Sequence, residues 1–307
     1  LIVDMRDAWA QLSMSPLGSY LHYALKRRLE WKVFQRASAI ISVTPQLKDI
    51  FTSTHPGLLQ EKFHVIYNTA ESDLQNLHSV EAPPISARDA IHIGYTGTFY
   101  YVPESREMIF RPWWRKKGHQ IFQYTPLKED WLYRSPYFFF KVFSRVLSNN
   151  PEWRTKIFFD YIGQPALWLT DMVKRFGLQE NVIFHGYVPN HKVKVLERGF
   201  DYLLSTSEKV IGKEHYCLPS KLFTYVESNK PVLAFVTKGI QNEFVTKSNI
   251  GLVFNPDQED ENVEKLSKIL REGFRARISS AYLEDFGPRK ASRQLVDLVR
   301  EGVKLGI

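Results

Sequence analysis

Leu218-Pro219-Ser220-Lys221-Leu222-Phe223-Thr224-Tyr225, followed by Asn229-Lys230-Pro231-Val232-Leu233-Ala234-Phe235, decides the fold. Ser220 is a helix-capping residue type, and Lys221 to Ser228 reads as a short helix. Tyr202-Leu203-Leu204 before it and Val232 to Phe235 after it are short apolar runs, as strands buried on both faces are. Strand, helix and strand in that order build a parallel sheet with helices on its faces.

The alternation extends both ways. Toward the C-terminus come a strand at 251–254 and helices at 261–273 and 288–302. Toward the N-terminus come a helix at 193–198, a strand at 182–184 ending at Gly186, a helix at 168–176 and a strand at 157–162 ending at Gly163. Ser135-Pro136 opens a helix whose Phe139, Val142, Phe143 and Val146 mark a buried side. Ile91 to Tyr95 is the first strand of this unit. Before it, the polar stretch 71–89 with Pro83-Pro84 is the best linker. Upstream lie strands at 1–3, 39–43 and 64–67, a helix at 19–37 with Leu21, Leu25, Leu29 and Val33 as its apolar stripe, and a helix starting at Gln46.

The expected division is a first Rossmann-like part at 1–75, a linker at 76–89, a second Rossmann-like domain at 90–275, and closing helices at 276–307 that cross back to the first part in one reading. Residues 1–70 supply about three strands where a full half needs about five or six. The chain opens on Leu1-Ile2-Val3 without Met, so further strands are expected upstream.

The net charge of +8 and pI of 9.3 favour anionic partners: nucleotides, acidic membranes or nucleic acid. Cys217 is the only cysteine, which excludes an intramolecular disulfide and fits a reducing compartment. There is no run of about 18 apolar residues to cross a membrane, no zinc-type spacing, no D-x-D motif, and no nucleic-acid-binding signature.

Six segments in order carry a resemblance: Asp4-Met5-Arg6-Asp7-Ala8-Trp9; Val43-Thr44-Pro45 with Val65-Ile66-Tyr67-Asn68; Ile93 to Phe99; Arg134-Ser135-Pro136; Val182 to Val188; and the opening stretch around Lys221. Together they resemble the family-4 retaining glycosyltransferases of bacterial surface-polysaccharide pathways. The resemblance implies an α/β fold of GT-B type, two Rossmann-like parallel-sheet domains facing across a cleft, the first incomplete here. It implies a nucleotide-sugar donor held mainly by the second domain and a glycan or polyprenyl-linked acceptor facing the first. No metal or other cofactor is expected, no nucleic-acid partner, and a cytoplasmic location at the inner face of the cell membrane.

A departing sugar leaves negative charge on a diphosphate, and backbone amides at a helix start stabilise such charge. Ser220, Lys221 and Leu222 are the candidates there, with Gly97 and Thr98 in the turn opening the second domain and Arg134 as a cation. Gly94 and Gly97 would let the backbone approach a phosphate. Gly186, Tyr187, Val188 and Glu227 are the candidates for the nucleoside, Glu208, Lys213 and His215 for the sugar, and Asp7 and Glu214 for the catalytic groups. The plain alternatives are a solvent-facing lysine at an ordinary helix start, a tight glycine turn, a surface arginine, a solvated charged loop and a capping aspartate. Many members of the resembled family carry two glutamates where this chain has Tyr216 and Thr224. That departure leaves open a degenerate glycan- or nucleotide-binding protein, and the same scaffold also admits a nucleotide-sugar epimerase. The basic helix around Lys26-Arg27-Arg28 reads as membrane-facing or as a solvated helix face. Arg111-Pro112-Trp113-Trp114-Arg115-Lys116-Lys117 suits a membrane, a glycan or a lipid-linked acceptor, or folds back onto the domain.

Overall fold

The computed structural model describes all residues except 12–13, 72–73, 75–78 and 305–307. The start of the expected linker at 76–78 and the last three residues of the closing helices lie outside the described residues.

A three-stranded parallel sheet opens the chain in the order β1 (Ile2–Met5), β2 (Ala39–Ser42), β3 (Phe63–Val65). Helix α1 (Tyr20–Arg36) connects β1 to β2, and α2 (Pro45–Thr54) connects β2 to β3. Thr44 caps α2, its hydroxyl accepting from the Leu47 N–H at 3.1 Å. Of the α1 stripe read from the sequence, only Val33 packs against the core. Leu21, Leu25 and Leu29 are more than half exposed, whereas Tyr23, Glu30 and Phe34 are buried. The cause is polar: the Glu30 carboxylate accepts from Ala10 N at 3.0 Å and Gln11 Nε2 at 2.9 Å, and meets His55 Nε2 at 2.7 Å. This satisfied hub holds the opposite face of α1 inward.

Residues 79–82, within the stretch read as linker, form strand β4 (Ser79–Ala82). A six-stranded, wholly parallel sheet follows, built from β5 (Ile91–Thr96), β7 (Ile157–Ile162), β8 (Val182–Gly186), β9 (Tyr202–Thr206), β11 (Val232–Phe235) and β12 (Gly251–Phe254), in the order β12-β11-β9-β5-β7-β8. Between β5 and β7 run α3 (Pro103–Phe110), the two-residue strand β6 (Glu129–Asp130) and α4 (Tyr137–Asn149). The other connections are α5 (Leu167–Arg175), α6 (Asn190–Gly199), α7 (Lys221–Glu227) and α8 (Ile240–Ser248). A two-residue strand β10 (Lys209–Val210) pairs antiparallel with β6. After β12 come α9 (Glu259–Glu272), β13 (Phe274–Arg277), which pairs antiparallel with β4, and the helices α10 (Ser280–Leu283) and α11 (Pro288–Lys304). Leu298, Val299 and Glu301 of α11 border the same cavity as Leu1, Ile2 and His64 of the first sheet.

The central strands β9 and β11 are buried throughout because helices cover the sheet. Phe139, Phe140 and Phe143 of α4 pack on Phe159 and Phe235 on one side. Leu222, Phe223 and Val226 of α7 pack with Leu203 and Val232 on the other. Gly94 turns out to serve this packing, not phosphate approach: a Cβ on it would lie 2.1 Å from the Phe200 ring. Gly94→Ala is therefore expected to cost about 1–3 kcal/mol by overpacking. Phe200→Leu in the same chain should recover part of the loss in urea titrations. A Gly94→Ala variant as stable as the parent would contradict this packing.

Candidate active site between the two sheets

The site forms at the carboxyl ends of the central strands, where β5 and β9 give way to loops. Gly97 follows β5 with φ of 100°, a conformation that favours glycine, and donates its N–H to Ile162 O at 2.8 Å. Gly97 and Thr98 are exposed. Lys221, the first residue of α7, reaches across to them. Its Nζ donates to Tyr95 Oη at 2.6 Å and to Thr96 O at 3.0 Å, and lies 3.9 Å from the centre of the Tyr95 ring. A Cβ on Gly97 would sit 3.5 Å from that ammonium. Part of Lys221 reaches solvent, but protein crowding around its ammonium, and then the nearby Arg134 charge, pull it down to about 7.

Arg134 stands on the same side of the turn, only 15% exposed. Its guanidinium donates to Glu208 Oε2 at 2.8 Å and lies over the Tyr100 ring at 5.4 Å and the Trp131 ring at 5.3 Å. Glu208 is 2% exposed. Burial alone would raise its carboxyl, but Arg134 and then His215 outweigh it and hold the group well below the usual carboxylate range. His215 Nε2 lies 3.1 Å from Glu208 Oε1. Arg134, Glu208 and His215 thus form one paired group, and Lys221, beside Gly97, feels the Arg134 charge.

Other expected residues sit differently. Ser220 makes no capping hydrogen bond, because its backbone is already helical with φ −57° and ψ −27°. The Leu222 N–H is spent on Pro219 O at 3.1 Å and its side chain is fully buried, so it offers nothing to a ligand. Lys213 is tied to Ser53 Oγ at 3.1 Å. Glu214 pairs with the exposed Lys238 at 2.8 Å. Both line a separate cavity of about 520 Å³ with Lys209, Thr237 and Asp257. Glu227 ends α7 within 3.6 Å of Lys194, which also holds Glu71. Gly186 adopts φ 70° at the end of β8, Tyr187 is 81% exposed, and Val188 packs at the edge of the core. Arg6 is engaged with Asp4 and Asn68, at 2.7 and 2.6 Å. Asp7 is exposed, and its charge helps raise the thiol of Cys217, which burial first and then Glu208 push up to about 12. Asp7 therefore lies within reach of the charge field around Cys217, in the loop after β1.

No motif or spacing singles out Glu129 or Trp131. Glu129 is fully buried, accepting from Tyr216 Oη at 2.7 Å and Trp131 Nε1 at 3.1 Å. Burial and then the Glu208 charge push it up to about 8. The contacts close a ring: Glu129, Trp131, Arg134, Glu208, His215, and Tyr216 back to Glu129. The β6–β10 pairing helps bring these segments together, and it leaves no periodic trace in sequence.

Residues 138–284 match the family described as Glycosyl transferases group 1. That segment holds Glu208, His215 and Lys221, and Arg134 lies just before it. No curated protein sequence matches the chain. Among solved structures, the chain is similar to sucrose-phosphate synthase from Thermosynechococcus elongatus, with 12% identity over 92% of this chain and 62% of that one, at a TM-score of 0.53. It is also similar to α,α-trehalose 6-phosphate synthase from Burkholderia multivorans, with 10% identity over 95% and 66%, at 0.54. A third is the apo form of the lipopolysaccharide outer core galactosyltransferase WaaB, with 11% identity over 92% and 66%, at 0.52. The fold is thus α/β of GT-B type. The chain spans under two thirds of each of these structures' length.

Glu129 supplies a pH test. Its folded value of about 8 lies above the ordinary 4.5, so the native state holds the proton more tightly than the unfolded chain. Its contribution to stability is complete below the ordinary value and is lost as pH rises toward 8. Thermal melts should fall from pH 5 to pH 8, and Glu129→Gln should flatten that slope. Parallel slopes for the two proteins would show Glu129 to be ionised throughout.

Proposed function

We propose that the protein is a glycosyltransferase that moves a hexose-type sugar from a nucleotide-sugar donor to a glycan or polyprenyl-linked acceptor, in surface-polysaccharide synthesis at the inner face of the cell membrane. The observation that carries this reading is Lys221 poised beside the exposed Gly97–Thr98 turn, with the Arg134 charge near enough to act on its ammonium. Two cations and an open backbone at the carboxyl ends of parallel strands suit a diphosphate. The match of residues 138–284 to glycosyl transferases supports the reaction class. The likeness in fold to a lipopolysaccharide galactosyltransferase accords with the pathway.

In this reading the bond between the anomeric carbon and the diphosphate oxygen breaks, and the electron pair leaves with the diphosphate. Lys221 and Arg134 meet the charge that develops there, without a metal ion. The acceptor hydroxyl forms the new bond on the face the diphosphate leaves, and its proton passes to the departing phosphate oxygen. The configuration is retained and no dedicated base is required. Glu208 stays ionised and orients Arg134 and His215. Asp7 faces the site from the acceptor side. Gly186 to Val188 lie beyond the neighbouring strand, where the nucleoside would extend.

Calorimetric titration with UDP, GDP and CMP tests the donor site. Saturable binding of one of them is expected, weakened about tenfold or more in Lys221→Ala and in Arg134→Ala, as for charge-assisted hydrogen bonds. No binding by folded protein would overturn the reading. With Lys221 at about 7 in the free protein, binding should weaken as pH rises from 7 to 9, because the ammonium loses its proton. Lys221→Arg, charged throughout, should show a flatter dependence over that range.

A further inference from the structure

The net excess of positive charge in this chain falls in two stretches. Residues 8–29 and 108–128 contain no aspartate or glutamate, and together they hold eight of the 41 basic residues. The rest of the chain balances 33 basic against 33 acidic side chains, so the formal net charge of +8 resides in these two stretches.

They are far apart in sequence and adjacent in the fold. Leu17 and Tyr124 exchange backbone hydrogen bonds in both directions, at 2.8 and 3.0 Å. The Tyr124 ring packs against Tyr20 at 5.1 Å and Tyr23 at 5.2 Å between ring centres, and Ser15 meets Ser105 at 2.9 Å. Around this junction bulky apolar side chains stand in solvent. Trp113 is 71% exposed, Trp114 67% and Phe122 76%, and on α1 Leu21 is 65% and Leu25 54% exposed. Arg115, Lys117, Arg27 and Arg28 are exposed among them.

We propose that α1 and the limb from Arg111 to Tyr124 form one docking surface for an anionic lipid bilayer. Tryptophan, phenylalanine and leucine enter the boundary between headgroups and acyl chains, and the cations meet lipid phosphates. A soluble polyanion would satisfy the cations but would give Phe122, Leu21 and Leu25 nothing apolar to enter. Charge and apolar exposure coincide only for a lipid surface. The proposal deepens the membrane-side location given above, but docking needs neither donor nor acceptor, so it stands or falls separately from the transfer reaction.

The test is co-sedimentation of the full chain with phosphatidylcholine vesicles, with and without phosphatidylglycerol carrying brominated acyl chains. Binding is expected only with the anionic lipid and should weaken with salt. Replacing Arg115, Lys116 and Lys117 by Gln should lower it about tenfold or more. Tryptophan quenching by the bromines should fall in the Trp113→Ala, Trp114→Ala double variant, leaving only what Trp31 of α1 contributes, and Leu21→Ser with Leu25→Ser should reduce binding without changing the mass in solution. These exposed substitutions should leave the thermal melt unchanged. Three results would overturn the proposal: no preference for anionic vesicles, affinity for soluble polyphosphate equal to that for vesicles, or a dimer in solution that Leu21→Ser with Leu25→Ser dissociates.

Discussion

A carboxylate as deeply buried as Glu208 cannot remain ionised without partners, and the site is arranged around providing them. Arg134 approaches from the segment before α4 and His215 from the loop before α7. The backbone agrees with the side chains: Thr206 Oγ1, two residues before Glu208, donates to Arg134 O at 2.7 Å. Breaking such a buried pair from one side leaves an uncompensated charge, a loss of about 3–5 kcal/mol. The position of Arg134, and through it of Trp131 and Tyr100, follows from this one charge.

The same region joins the two sheets. Thr44, while capping α2, donates its hydroxyl hydrogen to Tyr216 O at 2.7 Å, and Gln46 reaches Glu243 at 3.0 Å. Leu127, Val210 and Tyr216 complete the apolar core that Phe34, Leu47 and Phe51 build on the first sheet. The loop next to the site is therefore part of the core of the other sheet. This is how Asp7 comes close enough to Cys217 for its charge to be felt there.

Tyr216 and Thr224 stand where the resembled family often has glutamates, and both have been absorbed into the local structure. The Tyr216 hydroxyl donates to Glu129, and Thr224 Oγ1 donates back to Lys221 O at 2.9 Å. Two carboxylates enter the surroundings from elsewhere. Glu129 comes from the segment between β5 and α4, and Glu197 of α6 accepts from Thr96 Oγ1 at 2.7 Å and Ser228 Oγ at 3.1 Å. Burial raises both carboxyl groups, against the hydrogen bonds that each accepts.

The sequence by itself determined the strands of the large sheet, because a parallel sheet covered on both faces demands short apolar runs such as Val232–Phe235. The family resemblance grouped Lys221, Arg134 and Gly97 in prospect, Gly97 just after a strand and the two cations at or just before helix starts. What the sequence concealed is what depends on contacts between distant segments. The four-residue spacing of Leu21, Leu25 and Leu29 gives the helix correctly but not its rotation, which the buried Glu30 hub decides. Gly94 reads as a phosphate glycine until Phe200 is seen against it. Glu214 and Lys213 read like Glu208 and His215, neighbours in one polar loop, and only the fold turns two of them outward and buries the other two. Local spacing fixes secondary structure; which side of an element is buried, and which polar groups are thereby forced to pair, is settled by what packs against it.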